Sequence, residues 1–265
     1  MSHPPELNLP PVLEPFREAI AASIRPYVEI QATPTKKQLP YWQSKFGGLP
    51  YLPRSVAYPK TPAGDYLHLL AQINFAEVPA LEGFPQQGIL QFYIASGDLY
   101  GLYGEDFHHP TRQSGFRVMY FAAPDLNVDA LVTDFSFLPG GELDLPVPGC
   151  YALRFERQSA PISALDYRVG DWLQLGEGDR FWELNEVYCD VSIGDGHKLG
   201  GYPFFTQDDP RSRLPKAEEP YELLLQIDSG EGIMWGDVGV GNFFIRPSAL
   251  ERLDFSDVLY NWDCS

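Results

Sequence analysis

The chain is poor in cysteine, methionine and positive charge, and it has no long apolar run. Its three cysteines, Cys150, Cys189 and Cys264, include no C-x-x-C pair. That argues against a disulfide framework or a zinc knuckle, and reduced thiols point to a cytoplasmic setting. No stretch approaches the length of a membrane-spanning helix, and Met1-Ser2-His3-Pro4-Pro5 lacks the basic start and apolar run of a signal peptide. Only 19 Lys and Arg stand against 36 Asp and Glu, a net charge of −17. A body this acidic repels phosphate backbones and anionic lipid, so no nucleic acid and no membrane is expected as a partner. It permits a basic protein or a small polar ligand. The deficit is uneven: residues 1–60 hold seven basic and four acidic residues, so the remainder is more acidic than the whole. Catalytic signatures are missing as well. There is no G-x-S-x-G nucleophile elbow, and neither Gly-Gly loop has phosphate-loop spacing.

What is present is glycine (24), proline (25) and aromatic residues at 14% of the chain, a mix that favours strands broken by turns. A 44% apolar content suffices for a sizeable core and argues against disorder. The chain also repeats itself. Phe46-Gly47-Gly48-Leu49-Pro50 returns as Leu199-Gly200-Gly201-Tyr202-Pro203. Leu69-Leu70-Ala71-Gln72-Ile73-Asn74 returns as Leu223-Leu224-Leu225-Gln226-Ile227-Asp228, and Phe92-Tyr93-Ile94 as Phe243-Phe244-Ile245. The offsets are 153, 154 and 151 residues, in the same order. An ordered set at nearly one offset implies internal duplication.

Periodicity predicts an amphipathic helix over 11–25, with Leu13, Phe16, Ile20 and Ile24 on one stripe, packed on the β body and ended by Pro26. Residues 31–64 read as irregular and Pro-rich. Strands are predicted over 67–75, 88–95, 115–122, 151–156, 223–228, 241–245 and 258–262. In the first, Leu67, Leu69, Ala71, Ile73 and Phe75 share one face, and His68, Leu70, Gln72 and Asn74 the other. Short helices are predicted from Ser163 to about Arg168, from Asp179 through Val187, and over 249–253 with Ser248 as cap. No linker separates two domains. The chain therefore reads as mainly β, α+β only at its margins. It forms one β roll-like domain, 1–265, of two duplicated halves: 40–130 and 197–265, with an insertion over 131–196.

Several of these blocks resemble the YwqG-like family of bacterial proteins. They are Ser44 through Pro50 with Tyr58-Pro59, Leu70 through Asn74, His197 through Pro203, Gln207-Asp208-Asp209-Pro210-Arg211, Leu225 through Asp228, Trp235 through Gly239, Asp254-Phe255-Ser256 and Trp262-Asp263-Cys264. The resemblance covers about residues 40–265. It implies a mainly β, roll-like fold with duplicated halves and brings no particular activity, substrate or cofactor with it.

The candidate ligand-binding residues follow from the repeats. Gly47-Gly48 and Gly200-Gly201 permit positive φ; beside Lys45 and Lys198 they could cradle an anion, or they could simply make a tight turn. Gln72 and Asn74, repeated as Gln226 and Asp228, put amides and a carboxyl on one strand face in each copy. They line a cleft between the halves or brace buried backbone. Gln207 and Asp208, with Asp195, Asp228 and Asp237, supply oxygens for a hard cation, although the alternative is an Asp-Pro turn with Arg211 paired to a carboxylate. His197 is the best single acid/base candidate, and bracing the turn is its alternative. Trp235, in the Gly-rich run to Gly241, could stack a sugar or base, or the run could be a hairpin. His108-His109 after Glu105-Asp106 lacks metal spacing, so no metal site and no cofactor is assigned. The sequence points first to a non-catalytic binding module for a protein partner or small polar ligand. The alternative is an enzyme whose cleft between the halves is lined by Gln72, Asn74, Gln226, Asp228, Asp208 and His197.

Overall fold

A computed structural model describes residues 7–97, 102–140, 143–176, 178–215 and 219–265. Ten strands form one antiparallel sheet: β1 Arg25–Pro34, β2 Lys45–Gly47, β3 His68–Asn74, β4 Ile89–Ile94, β5 Phe116–Phe121, β6 Cys150–Ala160, β7 Lys198–Gly200, β8 Glu222–Asp228, β9 Val240–Ile245 and β10 Leu259–Asp263. Their spatial order is β10-β9-β8-β7-β1-β6-β2-β3-β4-β5. The sheet curls until its edges nearly meet. Phe116 on β5 stacks at 5.2 Å from Tyr260 on β10, and both rings join Phe92 and Phe243 in the main core. The 102–115 loop seals the seam. Tyr260 N donates to Pro110 O, Trp262 N to the Glu105 carboxyl, and Val118 N to Gln113 Oε1. Edge-strand amides that would otherwise recruit another chain are thereby satisfied.

The two copies share a register. In β3/β4, Leu69 faces Tyr93, Ala71 faces Phe92 and Gln72 faces Gln91. In β8/β9, Leu223 faces Phe244, Leu225 faces Phe243 and Gln226 faces Asn242. Each pair carries an irregularity at the equivalent place, between Leu69 and Ala71 and between Leu223 and Leu225. This bulge revises the expected faces of β3. Strict alternation puts Leu67, Leu69 and Ala71 together, but the extra residue moves Leu70, Ala71 and Ile73 to the main core. Leu67 and Leu69 are left to pack outside with Tyr93.

Several boundaries differ from the sequence pattern. The predicted helix over 11–25 is a 3₁₀ turn, Pro11–Phe16, followed by one short helix, α1 Arg17–Ala22. Pro15 has no N–H to continue an α-helical ladder. The stripe of this helix packs on a helical cap rather than on the sheet. Leu13 and Ile20 join Val169 and Leu173 of α2 (Val169–Leu173) and Leu184 and Tyr188 of α3 (Asp179–Cys189). Pro26 lies inside β1, and the segment read as irregular holds the end of β1 and all of β2. Residues 163–168 form turns, with Ser163 Oγ accepting from Leu165 N. The last helix, α4, spans Pro247–Glu251, and Ser248 does not cap it. Glu219 instead accepts from both Ser248 N and Ser248 Oγ, at 2.7 and 2.6 Å.

The segment 131–196, expected to be an insertion, contributes β6 to the middle of the sheet. β6 pairs along its length with β1, from Arg25↔Ala160 to Pro34↔Tyr151. Phe46 of β2 pairs with Tyr151 of β6, and Leu199 of β7 with Val28 of β1. Each first strand thus lies against the second strand of the other run.

Candidate functional site

The duplicated Gln residues bond chiefly to backbone, and Gln72 Oε1 also accepts from Gln91 Nε2 at 2.7 Å. Gln72 Oε1 accepts from Tyr51 N at 2.8 Å, and its Nε2 donates to Tyr41 O and Gln43 O. Gln226 Oε1 accepts from Phe204 N at 2.7 Å, and its Nε2 donates to Gly194 O and Gly196 O. An amide is the one uncharged side chain that can accept from one connecting segment and donate twice to another. The neighbouring positions repeat the pattern. Asn74 N donates to Ser44 Oγ and its side chain bonds Trp42 O and Ala76 N. Asp228 N donates to His197 Nδ1, and its carboxylate accepts from Gly196 N and Ser229 N. Gln72, Gln226, Asn74, Asp228 and His197, five of the six residues of the expected cleft, act as braces.

His197 is therefore an acceptor at Nδ1, packed edge-on against Phe46 at 5.3 Å, and burial lowers its pKa to about 4. A neutral imidazole whose Nδ1 lone pair is committed to backbone and whose Nε2 carries the proton has no free basic nitrogen to act as a general base at pH 7. Lys45 and Lys198 are both buried, and burial lowers each to about 8. Lys45 Nζ donates to Pro40 O at 2.8 Å and Leu49 O at 3.0 Å. Lys198 Nζ donates to Gly194 O and faces the Tyr27 ring at 5.2 Å. Neither ammonium is aimed at the Gly-Gly pairs. Gly47, Gly48, Gly200 and Gly201 have φ of +62°, +70°, +69° and +72°. A Cβ on Gly47 would run into the Gly149 carbonyl, and one on Gly48 would come within 2.8 Å of Cys150 Sγ. Gly47 and Gly48 are a strand exit packed against the start of β6, and Gly200 and Gly201 are one packed on Tyr27 of β1 and on Leu81 and Phe84, with no room for an anion on those sides.

The other sequence candidates do not converge with these. Trp235 is fully buried, not a stacking platform. It lies over Gly241, 5.9 Å from Tyr103 and 6.1 Å from Trp262. Asp237 is exposed, and its carbonyl accepts from Ser265 N. Gln207 bonds Cys264 O, and Asp208 makes an exposed pair with Arg213. Among the described residues, no three His, Cys, Asp or Glu side chains gather as a metal would require. All three cysteines are free.

The Asp-Pro turn reading of 207–211 describes the loop well. Asp209 accepts from Arg211 N, and Arg211, 2% exposed, pairs with Asp209 at 2.6 Å and Asp166 at 2.9 Å. Arg168 joins Asp166 to Glu222, which also holds Arg25. Burial works to raise Asp166, but the Arg168 hydrogen bonds and the two guanidinium charges outweigh it and hold the carboxyl at about 2. Arg211 sits 4.7 Å over the Phe244 ring. The first copy puts Tyr58 over Tyr93 instead, at 5.6 Å.

Above this network opens a groove of about 740 Å³. Tyr167, Leu214 and Tyr221 form part of its wall, and His108, His109 and Arg246 bring polar groups from two other segments. Arg246 lies 4.3 Å over the Tyr221 ring, and the Tyr221 hydroxyl donates to Asp257 at 2.6 Å. The Glu219 carboxylate is committed to α4 and not to the groove. This is the size of a small-molecule site, with aromatic walls and a few polar groups. Sequence reasoning missed it, because its residues come from four separated stretches. The His108-His109 pair stood out only for metal chemistry, and Arg211 only as the partner of a carboxylate in the Asp-Pro turn.

No helix among the described residues is long and apolar enough to cross a membrane. No curated protein matches the chain. A family model described as a domain of unknown function, DUF1963, matches residues 44–264, from β2 to the end of β10, and the chain belongs to that family.

Proposed function

We propose that the protein is a non-catalytic binding module and that its ligand, a small molecule with a planar body and polar substituents, occupies the groove above Arg211. The observation that carries this reading is a site-sized concavity with aromatic walls, Tyr167 and Tyr221, whose floor is pinned by a buried ion network. Pinned walls hold a shape without ligand, which lowers the ordering cost of binding. The enzyme alternative required Gln72, Asn74, Gln226, Asp228, Asp208 and His197 to meet in one open cleft. All but Asp208 are engaged with backbone, and Asp208 is exposed beside Arg213, which weighs against that reading. The finer expectations belong to the same proposal: YwqG-like kinship, bacterial origin, a cytoplasmic setting, and a basic protein as the other class of partner.

Ligand-observed NMR with a library of aromatic and heteroaromatic fragments tests it. Fragments that bind the parent protein, lose binding in Tyr167→Ala and Arg246→Ala, and are recovered unchanged support the reading. Chemical conversion of a bound fragment, or binding indifferent to both substitutions, overturns it.

A further inference from the structure

The first copy carries a second groove at the matching end of its hairpin. His68 pairs with Ile94 as Glu222 pairs with Ile245. The groove above Arg211 takes Tyr221 and Arg246 from beside the latter pair, and this one takes Tyr66, His68 and Ser96 from around the former. Among the described residues, the ion network of the second copy has no equivalent here. Tyr58, Tyr66, Phe135 and Phe137 form a cluster of rings instead, with Tyr66 and Phe137 5.2 Å apart at 46° and Tyr58 edge-on to both. Tyr66 and Phe137 present to a space of about 440 Å³, to which Asp65 adds a carboxylate. Phe137 is 39% exposed, although packing against its own cluster would hide it.

Two non-parallel rings with a carboxylate beside them are the elements that hold a soft cation. The negative ring faces attract positive charge without demanding hydrogen bonds, and an alkylated ammonium loses little hydration on entering. The chain illustrates the attraction itself: Lys60 Nζ stands 4.1 Å from the Tyr66 ring centroid. Lys60 is exposed and does not line the groove, so solvent screens its repulsion of a second cation. His68 is half-buried, and burial lowers its pKa, so it adds a neutral wall at pH 7. The strongly negative body raises the local concentration of cations at any such mouth.

We infer that the groove formed by Asp65, Tyr66, His68 and Phe137 binds a quaternary or alkylated ammonium group. This inference stands apart from the site above Arg211, since the two grooves share no residue.

Titration calorimetry and ¹H–¹³C NMR of the aromatic side chains test it, with choline and tetramethylammonium as probes and 3,3-dimethyl-1-butanol as the neutral isostere of choline. The expected result is choline binding about tenfold more tightly than its neutral isostere, with shifts at Tyr66 and Phe137. Phe137→Ala should weaken choline by a similar factor, and Lys60→Met, outside the groove and solvent-screened, should change it by less than about twofold. Phe137 is partly exposed, so its loss is not expected to unfold the chain, and thermal melting of each variant verifies this. Equal affinity for choline and its isostere, no binding, or binding unchanged in both Phe137→Ala and Asp65→Asn overturns the inference.

Discussion

Gln72 and Gln226 make the same three backbone hydrogen bonds in the two copies, each accepting one amide and donating to two carbonyls two residues apart. Removing either side chain leaves one N–H (Tyr51 or Phe204) and one C=O (Gln43 or Gly196) without its side-chain partner, while Tyr41 O and Gly194 O keep Lys45 Nζ and Lys198 Nζ. Gln72→Ala and Gln226→Ala should each cost about 3 kcal/mol in urea denaturation, since each orphaned group costs about 1–3 kcal/mol. Equal losses are expected. A Gln226→Ala protein as stable as the parent would show that the second brace is dispensable.

Gly47 and Gly64 separate two effects that a single substitution confounds. Both have positive φ, +62° and +98°, but only Gly47 faces backbone, while a Cβ on Gly64 meets nothing within 4 Å. Gly64→Ala should cost about 1 kcal/mol, from the left-handed conformation alone. Gly47→Ala should cost several times more, or prevent folding, because β2 must move off β6. Similar melting temperatures for the two variants would contradict this.

Asp166 and Arg211 predict a sharp contrast with Asp208 and Arg213. Arg211→Ala leaves Asp166 and Asp209 buried without their shared cation and should cost about 3–5 kcal/mol. Arg213→Ala breaks an exposed pair and should cost under about 0.5 kcal/mol. Arg211→Ala should also lower fragment affinity in the groove above it, because Arg211 lines its wall.

Glu105 and Trp262 give a pH signature. Burial raises the Glu105 carboxyl from 4.5 to about 8, against the opposing hydrogen bond from Trp262 N. A group whose pKa is higher in the folded state contributes stability that is full below its unfolded value and is lost as pH rises through its folded one. The seam should therefore weaken between pH 4.5 and 8. His197, lowered from 6.5 to about 4, acts with the opposite sign: its contribution is full above pH 6.5 and is lost as pH falls toward 4. Below pH 6.5 His197 opposes Glu105, and toward pH 8 the buried Lys45 and Lys198, each lowered to about 8, oppose it as well, so the difference between parent and Glu105→Gln isolates Glu105. Denaturation from about pH 6.5 to 8 should show the stability of the parent relative to Glu105→Gln falling as pH rises. In the same sample at pH 5.5, ¹⁵N shifts should show His197 still neutral with its proton on Nε2.

The duplication was legible because bracing demands particular side chains. A glutamine that accepts from one loop amide and donates to two carbonyls admits few substitutes, and two glycines at positive φ against packed neighbours admit none. These blocks keep their identity in both copies, and they were readable for the same reason that they are not a site. What escaped was non-local. β1 begins at Arg25 and runs through Pro26, where a proline reads as a helix stop, and its partners Ser159 and Gly200 lie more than a hundred residues away. The β3 bulge hid behind apparent alternation, because a run of apolar residues has no polar member to mark the slip. Trp235 read as an open platform because glycines surround it, but Gly241 is small so that the indole can lie over it. The two grooves gather residues from several stretches far apart in sequence, and no short pattern records such a gathering.

The crossed pairing of β1 with β7 and of β6 with β2 bears on how such a chain could arise. Read as two five-strand units, β1–β5 and β6–β10, neither can complete a sheet from its own strands, because each lends its first strand to the other. Two separate copies of one such unit would have had to embrace as a homodimer before either was stable. Joining them end to end converts an encounter between molecules into loop closure within one, at a millimolar effective concentration. It also frees the copies to diverge, so that one mouth of an ancestrally symmetric dimer could acquire guanidinium and carboxylate groups while the other kept its rings.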